Sequence, residues 1–139
     1  MSKSKKSFFE PGAYERLERI EYTGFETTQP GKGIKVVSSD MVEVLGADKK
    51  QFSVRVTRSV RLDPQFAFEA RVSYIIRRVF KKGITDDDIE FVTSDILKDP
   101  ERYIAPVFAS LSSVIAQVTH LSGETPVITP PNVSATLLA

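Results

Sequence analysis

The sequence predicts an α+β domain: a four-stranded antiparallel sheet with a long helix and a proline-rich crossover packed on one face. Three observations carry this. Apolar residues recur at every second position through Phe52–Leu62 and again through Phe66–Ile76. They recur at steps of three and four from Ile104 to Leu121. The change from the first pattern to the second happens once, after Lys81-Lys82-Gly83. Period two gives one buried and one wet face, as antiparallel sheets commonly have, and strands followed by helices argue for α+β. With 139 residues, 41% of them apolar, the chain suits a single domain with a real core.

Taken in order, residues 1–16 read as a mobile lead-in and 17–139 as one domain. The stretch from Leu17 to Glu26 alternates, then slips phase at Gly24, which predicts a strand with a bulge at the glycine. Gln29-Pro30-Gly31-Lys32-Gly33 is turn chemistry. A second strand starts at Ile34, is interrupted by Ser38-Ser39-Asp40 and resumes from Met41 to Leu45. The third strand alternates cleanly except at Arg58, which stands on the apolar parity. Asp63-Pro64-Gln65 joins it to the fourth strand as a hairpin loop. Thr85-Asp86-Asp87-Asp88 opens a short helix with Ile89, Val92 and Ile96 on one side. Asp99-Pro100-Glu101 opens the long helix, kinked near its start by Pro106 and ended by Gly123. Prolines keep the segment 124–131 extended, and Asn132 is placed to cap a final stub of helix.

The chemistry is mostly a list of exclusions. Nineteen basic residues against 18 acidic ones leave a net charge of +1, no footprint for nucleic acid. Cysteine is absent, which removes disulfides, thiolate catalysis and cysteine metal sites. His120 is the single histidine, suited to the last turn of a helix. The run Asp86-Asp87-Asp88 lacks an EF-hand's glycine and has Leu97 where the bidentate glutamate belongs. No nucleophile elbow or phosphate loop is present. The expectation is a non-enzyme without cofactors, cytoplasmic and not inserted in a membrane. Its aromatic residues exceed what one helix covers. They fill a core, or share their surplus with a subunit interface or an apolar groove.

Several segments resemble the SecB family, bacterial export chaperones that hold precursor polypeptides unfolded. Tyr22-Thr23-Gly24-Phe25-Glu26 looks like that family's opening strand, and the region from Phe52 to Phe80 is similar to its central hairpin. The stretch from Ile104 to Ile115 looks like its proline-led long helix, and Pro126 to Val133 resembles its crossover.

The resemblance implies a homo-oligomer, a dimer of dimers with the long helices between sheets, and an ATP-independent holdase for unfolded polypeptides. It points to Tyr22, Phe25, Phe52, Phe66, Phe68, Val127, Ile128 and Leu137 as walls of a client groove. Ala70, Val72 and Tyr74 match residues that support tetramer formation. On the helix, Ile104, Phe108, Leu111, Ser112 and Ile115 offer further interface. The family docks the export motor SecA on an acidic sheet face. Here Glu26 and Glu69 remain on that face, but Arg71 stands where a prominent glutamate belongs, so SecA binding is expected to be weak or absent. With a stub for the last helix and no acidic tail, the chain reads as a divergent member, of a kind that can serve other clients, antitoxins included. Two other readings stay open: a module dedicated to one partner, and a carrier of a small apolar ligand.

Overall fold

The structure, a computed structural model, describes residues 7–25, 35–63, 67–121, 126–133 and 136–138, the last three as backbone only. Its strands are β1 (Tyr14–Gly24), β2 (Lys35–Ala47), β3 (Gln51–Asp63), β4 (Phe68–Val79) and β5 (Thr136–Leu138), and its helices α1 (Asp86–Lys98) and α2 (Glu101–Leu121). The sheet order is β1-β4-β3-β2-β5, with β1 to β4 antiparallel to their neighbours and β5 parallel to β2. Both helices lie on one face, α2 over β4 and α1 beside β2. The α+β expectation therefore holds for four antiparallel strands and two helices.

The β3–β4 hairpin follows the alternation. Phe52, Val54, Val56 and Val60 face the helices from β3, and Phe68, Ala70, Val72 and Ile76 from β4, all buried. Arg58 keeps its place on this parity and is itself buried, because Asp40 of β2 lies opposite it in register. That pairing explains why β2 runs unbroken through Ser38-Ser39-Asp40 where an interruption was expected. The polar triplet belongs in the ladder because Asp40 carries the counter-charge for Arg58.

Three other expectations need correction. The bulge in β1 falls between Leu17 and Arg19, not at Gly24, and it moves Glu18 toward Arg55 on the open face. Gly24 ends the strand instead. The segment read as a mobile lead-in is tied down from Phe8 onward: Phe8 and Phe9 are buried, and Phe9 pairs with Phe80. The Phe9 ring stacks on Phe80 at 4.8 Å and meets Phe52 and Tyr103 at 5.9 and 6.2 Å. Finally, β5 replaces the expected helical stub. The outer edge of β2 offers ready backbone partners to an extended segment. The loops at 29–33 and 64–65 and the helix end at Gly123 lie outside the described residues.

Both helix starts follow the sequence signals. The Thr85 side chain accepts from Asp88 N while the Asp88 carboxylate accepts from Thr85 N, a reciprocal capping box. In α2 the backbone leaves helical geometry at Ile104 (φ −138°, ψ 31°), two residues before Pro106. Proline lacks the donor and crowds the preceding turn. Among the described residues α2 alone is long and apolar enough to cross a membrane, but its apolar side (Val107, Phe108, Leu111, Ile115) is what covers the sheet.

Candidate functional site

The residues marked in sequence as groove walls do not come together. Phe52 and Phe68 are core residues at opposite ends of the sheet: Phe52 pairs with Arg78, ten positions along β4 from Phe68, or about 33 Å of strand. Tyr22 lies half-buried on Phe68, rings parallel at 5.7 Å, and half-buried Phe25 donates its N–H to Ala67 O. In the crossover, Val127 is half-buried with its N–H given to Thr119 Oγ1, while Ile128 is 76% exposed. Leu137 is placed by its backbone opposite Asp40, and Phe66 lies outside the described residues.

Most of the residues expected at an interface lie in the core of one chain. Ala70, Val72, Ile104, Phe108, Leu111 and Ile115 are buried within one chain. Strands of 11 to 13 residues give a sheet long enough to cover the stripe alone. Tyr74 is half-buried, its phenol pushed up by burial and by Glu15. Ser112 donates to Thr129 O at 2.6 Å and so pins the crossover. Besides its two ends and Pro106, α2 leaves Ala105, Ala109, Ser113, Gln117 and His120 to solvent.

On the opposite sheet face, Arg71 is exposed beside half-buried Glu69, and Glu26 lies outside the described residues. Arg55 is less free than its parity suggested. It donates two bonds of 2.8 and 2.9 Å to Glu18 and approaches Glu43 at 3.8 Å.

The groove that the fold does build lies between β2 and α1. It is open, about 830 Å³ in volume, with Val44, Ala47, Ile89 and Leu97 supplying apolar wall and Thr93 and Ser94 polar floor. Asp48, Lys49, Asp86 and Glu90 form its rim. Each side has a local cause. At the β2–β3 turn, the Asp48 carboxylate accepts from the Lys50 and Gln51 amides at 2.8 and 2.9 Å, which also holds it below the usual carboxylate range. On the other side, Val92 and Ile96 are buried and anchor α1, so Ile89 and Leu97 turn toward β2. Lys49 Nζ reaches to 3.9 Å from Asp86 Oδ1 across the mouth.

Alongside this groove runs bare backbone. β5 pairs only with Ser39, Asp40 and Met41, and among the described residues no strand lies outside Val42–Ala47. A free edge beside an apolar groove offers main-chain hydrogen bonds and side-chain pockets to an extended peptide. Sequence reading missed this site because its walls come from β2 and α1, elements far apart in the chain. The signal within reach was Ile89 with Leu97, apolar positions on α1 beyond those its anchor needs.

No protein-family model matches the chain, and no curated protein matches it. Among solved structures it is similar to the Mycobacterium tuberculosis Rv1957 SecB-like chaperone, solved in complex with a ChAD peptide from the Rv1956 HigA1 antitoxin. That likeness has a TM-score of 0.63 at 16% identity, covering 85% of this chain and 89% of the other. It establishes a SecB-like fold. A Streptococcus agalactiae protein of unknown function overlays with a TM-score of only 0.36 at 9% identity, over 86% of this chain and 97% of its own.

Proposed function

We propose that this SecB-fold protein is a cytoplasmic, ATP-independent chaperone that holds unfolded polypeptide segments in the groove between β2 and α1. The observation that carries the reading is the juxtaposition of that apolar groove with the bare edge of β2. Extended chain satisfies both features at once, and neither asks for a particular sequence. The antitoxin peptide bound by its structural neighbour supports a polypeptide as the occupant. The test is suppression of aggregation: several unrelated denatured proteins should stay soluble at near-stoichiometric ratios without nucleotide. Generic clients that aggregate unhindered would overturn it.

The same neighbour favours a second reading, a module dedicated to one partner such as an antitoxin. Capture of a single protein from native lysate, with no protection of unrelated clients, would select it. A small apolar ligand is less suited, since the groove is open rather than enclosed. Export is the family's use of the fold, but Arg71 in place of the docking acid favours another client pathway.

A further inference from the structure

A second hollow lies across the sheet from the groove, where β1 and β4 meet the start of α2. Its volume is about 210 Å³, below the roughly 300–1,000 Å³ of drug-sized sites, so it suits one small molecule. Ala13, Ile76, Ile104 and Pro106 give it apolar walls, and Glu15 and Arg78 are its two charged groups.

The strand register explains why both charges are here. Glu15 lies opposite Ile76 on the β1–β4 ladder, and Arg78 stands two residues on from Ile76, so all three side chains share the face turned to α2. Diagonal neighbours of this kind sit about 7–8 Å apart, yet each is held by a different group. Ser110 Oγ donates to Glu15 Oε1 at 2.7 Å, which leaves the other carboxylate oxygen open. Arg78 donates to two carbonyls, Tyr103 O at 3.0 Å and Glu10 O at 3.3 Å, and its Nε is buried with no acceptor. A guanidinium has five donors, and among the described residues no carboxylate pairs with this one. Burial lowers its proton affinity with nothing to offset the loss.

We infer that this hollow binds a free apolar α-amino acid as its zwitterion, with the carboxylate on Arg78, the ammonium on Glu15 and the side chain against Ile76 and Ile104. A carboxylate takes up the donors that the two carbonyls leave over, in charge-assisted bonds roughly twice as strong as neutral ones. The ammonium, one carbon away, answers Glu15 on the facing strand. An aliphatic side chain removes the apolar walls from water. The end of a polypeptide carries only one of these two charges, so the site selects the free amino acid over a client segment. It is separate from the groove at β2 and does not depend on how polypeptide is held there.

The probe is L-leucine, titrated by calorimetry into the full chain beside leucinamide, which lacks the carboxylate, and 4-methylpentanoate, which lacks the amine. Leucine should saturate one site per chain. Each analogue should bind at least about tenfold more weakly, because a hydrogen bond to a charged group is lost. Amide NMR shifts should fall at Ile76, Arg78 and Ile104. Glu15→Gln keeps an oxygen for Ser110 and should fold like the parent. It should weaken leucine about tenfold and leave 4-methylpentanoate unchanged or tighter. No saturation at millimolar leucine, an analogue that matches leucine, shifts confined to another part of the chain, or undiminished leucine binding by Glu15→Gln overturns the inference. Suppression of aggregation by the same protein reports separately on the polypeptide reading, which stands or falls by itself.

Discussion

The Arg58 guanidinium closes on the Asp40 carboxylate through two parallel bonds of 2.8 Å, and neither side chain is reached by solvent. Its remaining donors go to the crossover, to Thr129 Oγ1 at 2.9 Å, Pro130 O at 2.6 Å and Asn132 O at 2.7 Å. One side chain thus joins β3, β2 and the crossover, and every donor is used. The planar fork of arginine fits this arrangement and lysine would not.

Removing one partner strands the other. Arg58→Met should cost about 3 to 5 kcal/mol in urea unfolding, because the buried Asp40 carboxylate loses the guanidinium that pairs with it. The crossover should then become cleavable near Thr129. Asp40→Leu combined with Arg58→Met should recover much of the loss, since apolar replacement of a buried pair is often near neutral. A single variant as stable as the parent would mean that the pair is solvated in solution.

Phe9→Ala should destabilise by about 3 to 5 kcal/mol, the usual cost of deleting a buried aromatic side chain. Phe9 is 3% exposed among Phe52, Phe80 and Tyr103, and Arg78 lies over its ring at 4.5 Å. Equilibrium unfolding decides between this and a lead-in, for which the cost would be near zero.

These two sites show what sequence reveals and what it hides. The hairpin from Phe52 to Ile76 was legible because its period of two is a local property of the chain. Thr85 and Asp88 likewise declared the start of α1. Arg58 was visible as an irregularity, but its meaning lay in Asp40, eighteen positions away. Phe8-Phe9 beside lysines and a proline gave no period at all, and only the Phe80 pairing explains its burial. The candidate groove was hidden for a related reason. Its aromatic-rich rivals are core, and its walls come from β2 and α1, elements far apart in the chain.

Glu18 and Arg55 should give a small, pH-dependent contribution. The Arg55 hydrogen bonds hold the Glu18 carboxyl below its ordinary value, so the folded state binds its proton less readily than the unfolded chain. The stabilisation is complete at neutral pH and is lost as pH falls through the carboxylate range to the lowered value. Both side chains are partly solvated, so Glu18→Gln should cost only about 0.5 kcal/mol at pH 7. Against the parent, that difference should vanish in acid and shrink in high salt. A difference that persists in acid would point to packing rather than charge.

Val72 now predicts unfolding rather than disassembly. It is fully buried under α2, so Val72→Asp should cost several kcal/mol and abolish the cooperative transition. The surface of α2 available to a second copy is the line of Ala105, Ala109 and Ser113. Light scattering at micromolar concentration should give a dimer or tetramer. Ala109→Arg should lower that mass and leave the thermal transition of the fold in place. A stable monomer in the parent would overturn the expectation of assembly.

SecA binding tests whether the SecB-like fold carries the export role. A motor shaped for an acidic sheet face needs carboxylates here on the side away from the helices. That side presents Arg19, Arg61 and Arg71 exposed, with Glu69 half-buried beside Arg71. The register sets Glu21 opposite Arg71, and Arg19 Nη1 lies 3.3 Å from the Glu21 carboxylate. Glu18 and Glu43 are already engaged by Arg55. Glu18, Glu21 and Glu43 are thus shared with arginines of the same chain, and a basic partner loses attraction while meeting like charge at Arg71. Titration against SecA at low ionic strength, where such attraction is strongest, should show weak or no association. Arg71→Glu should strengthen it by restoring an acid at the centre of the face. Submicromolar affinity in the parent, lost in Arg71→Glu, would instead make the arginine a docking residue and return the protein to the export pathway.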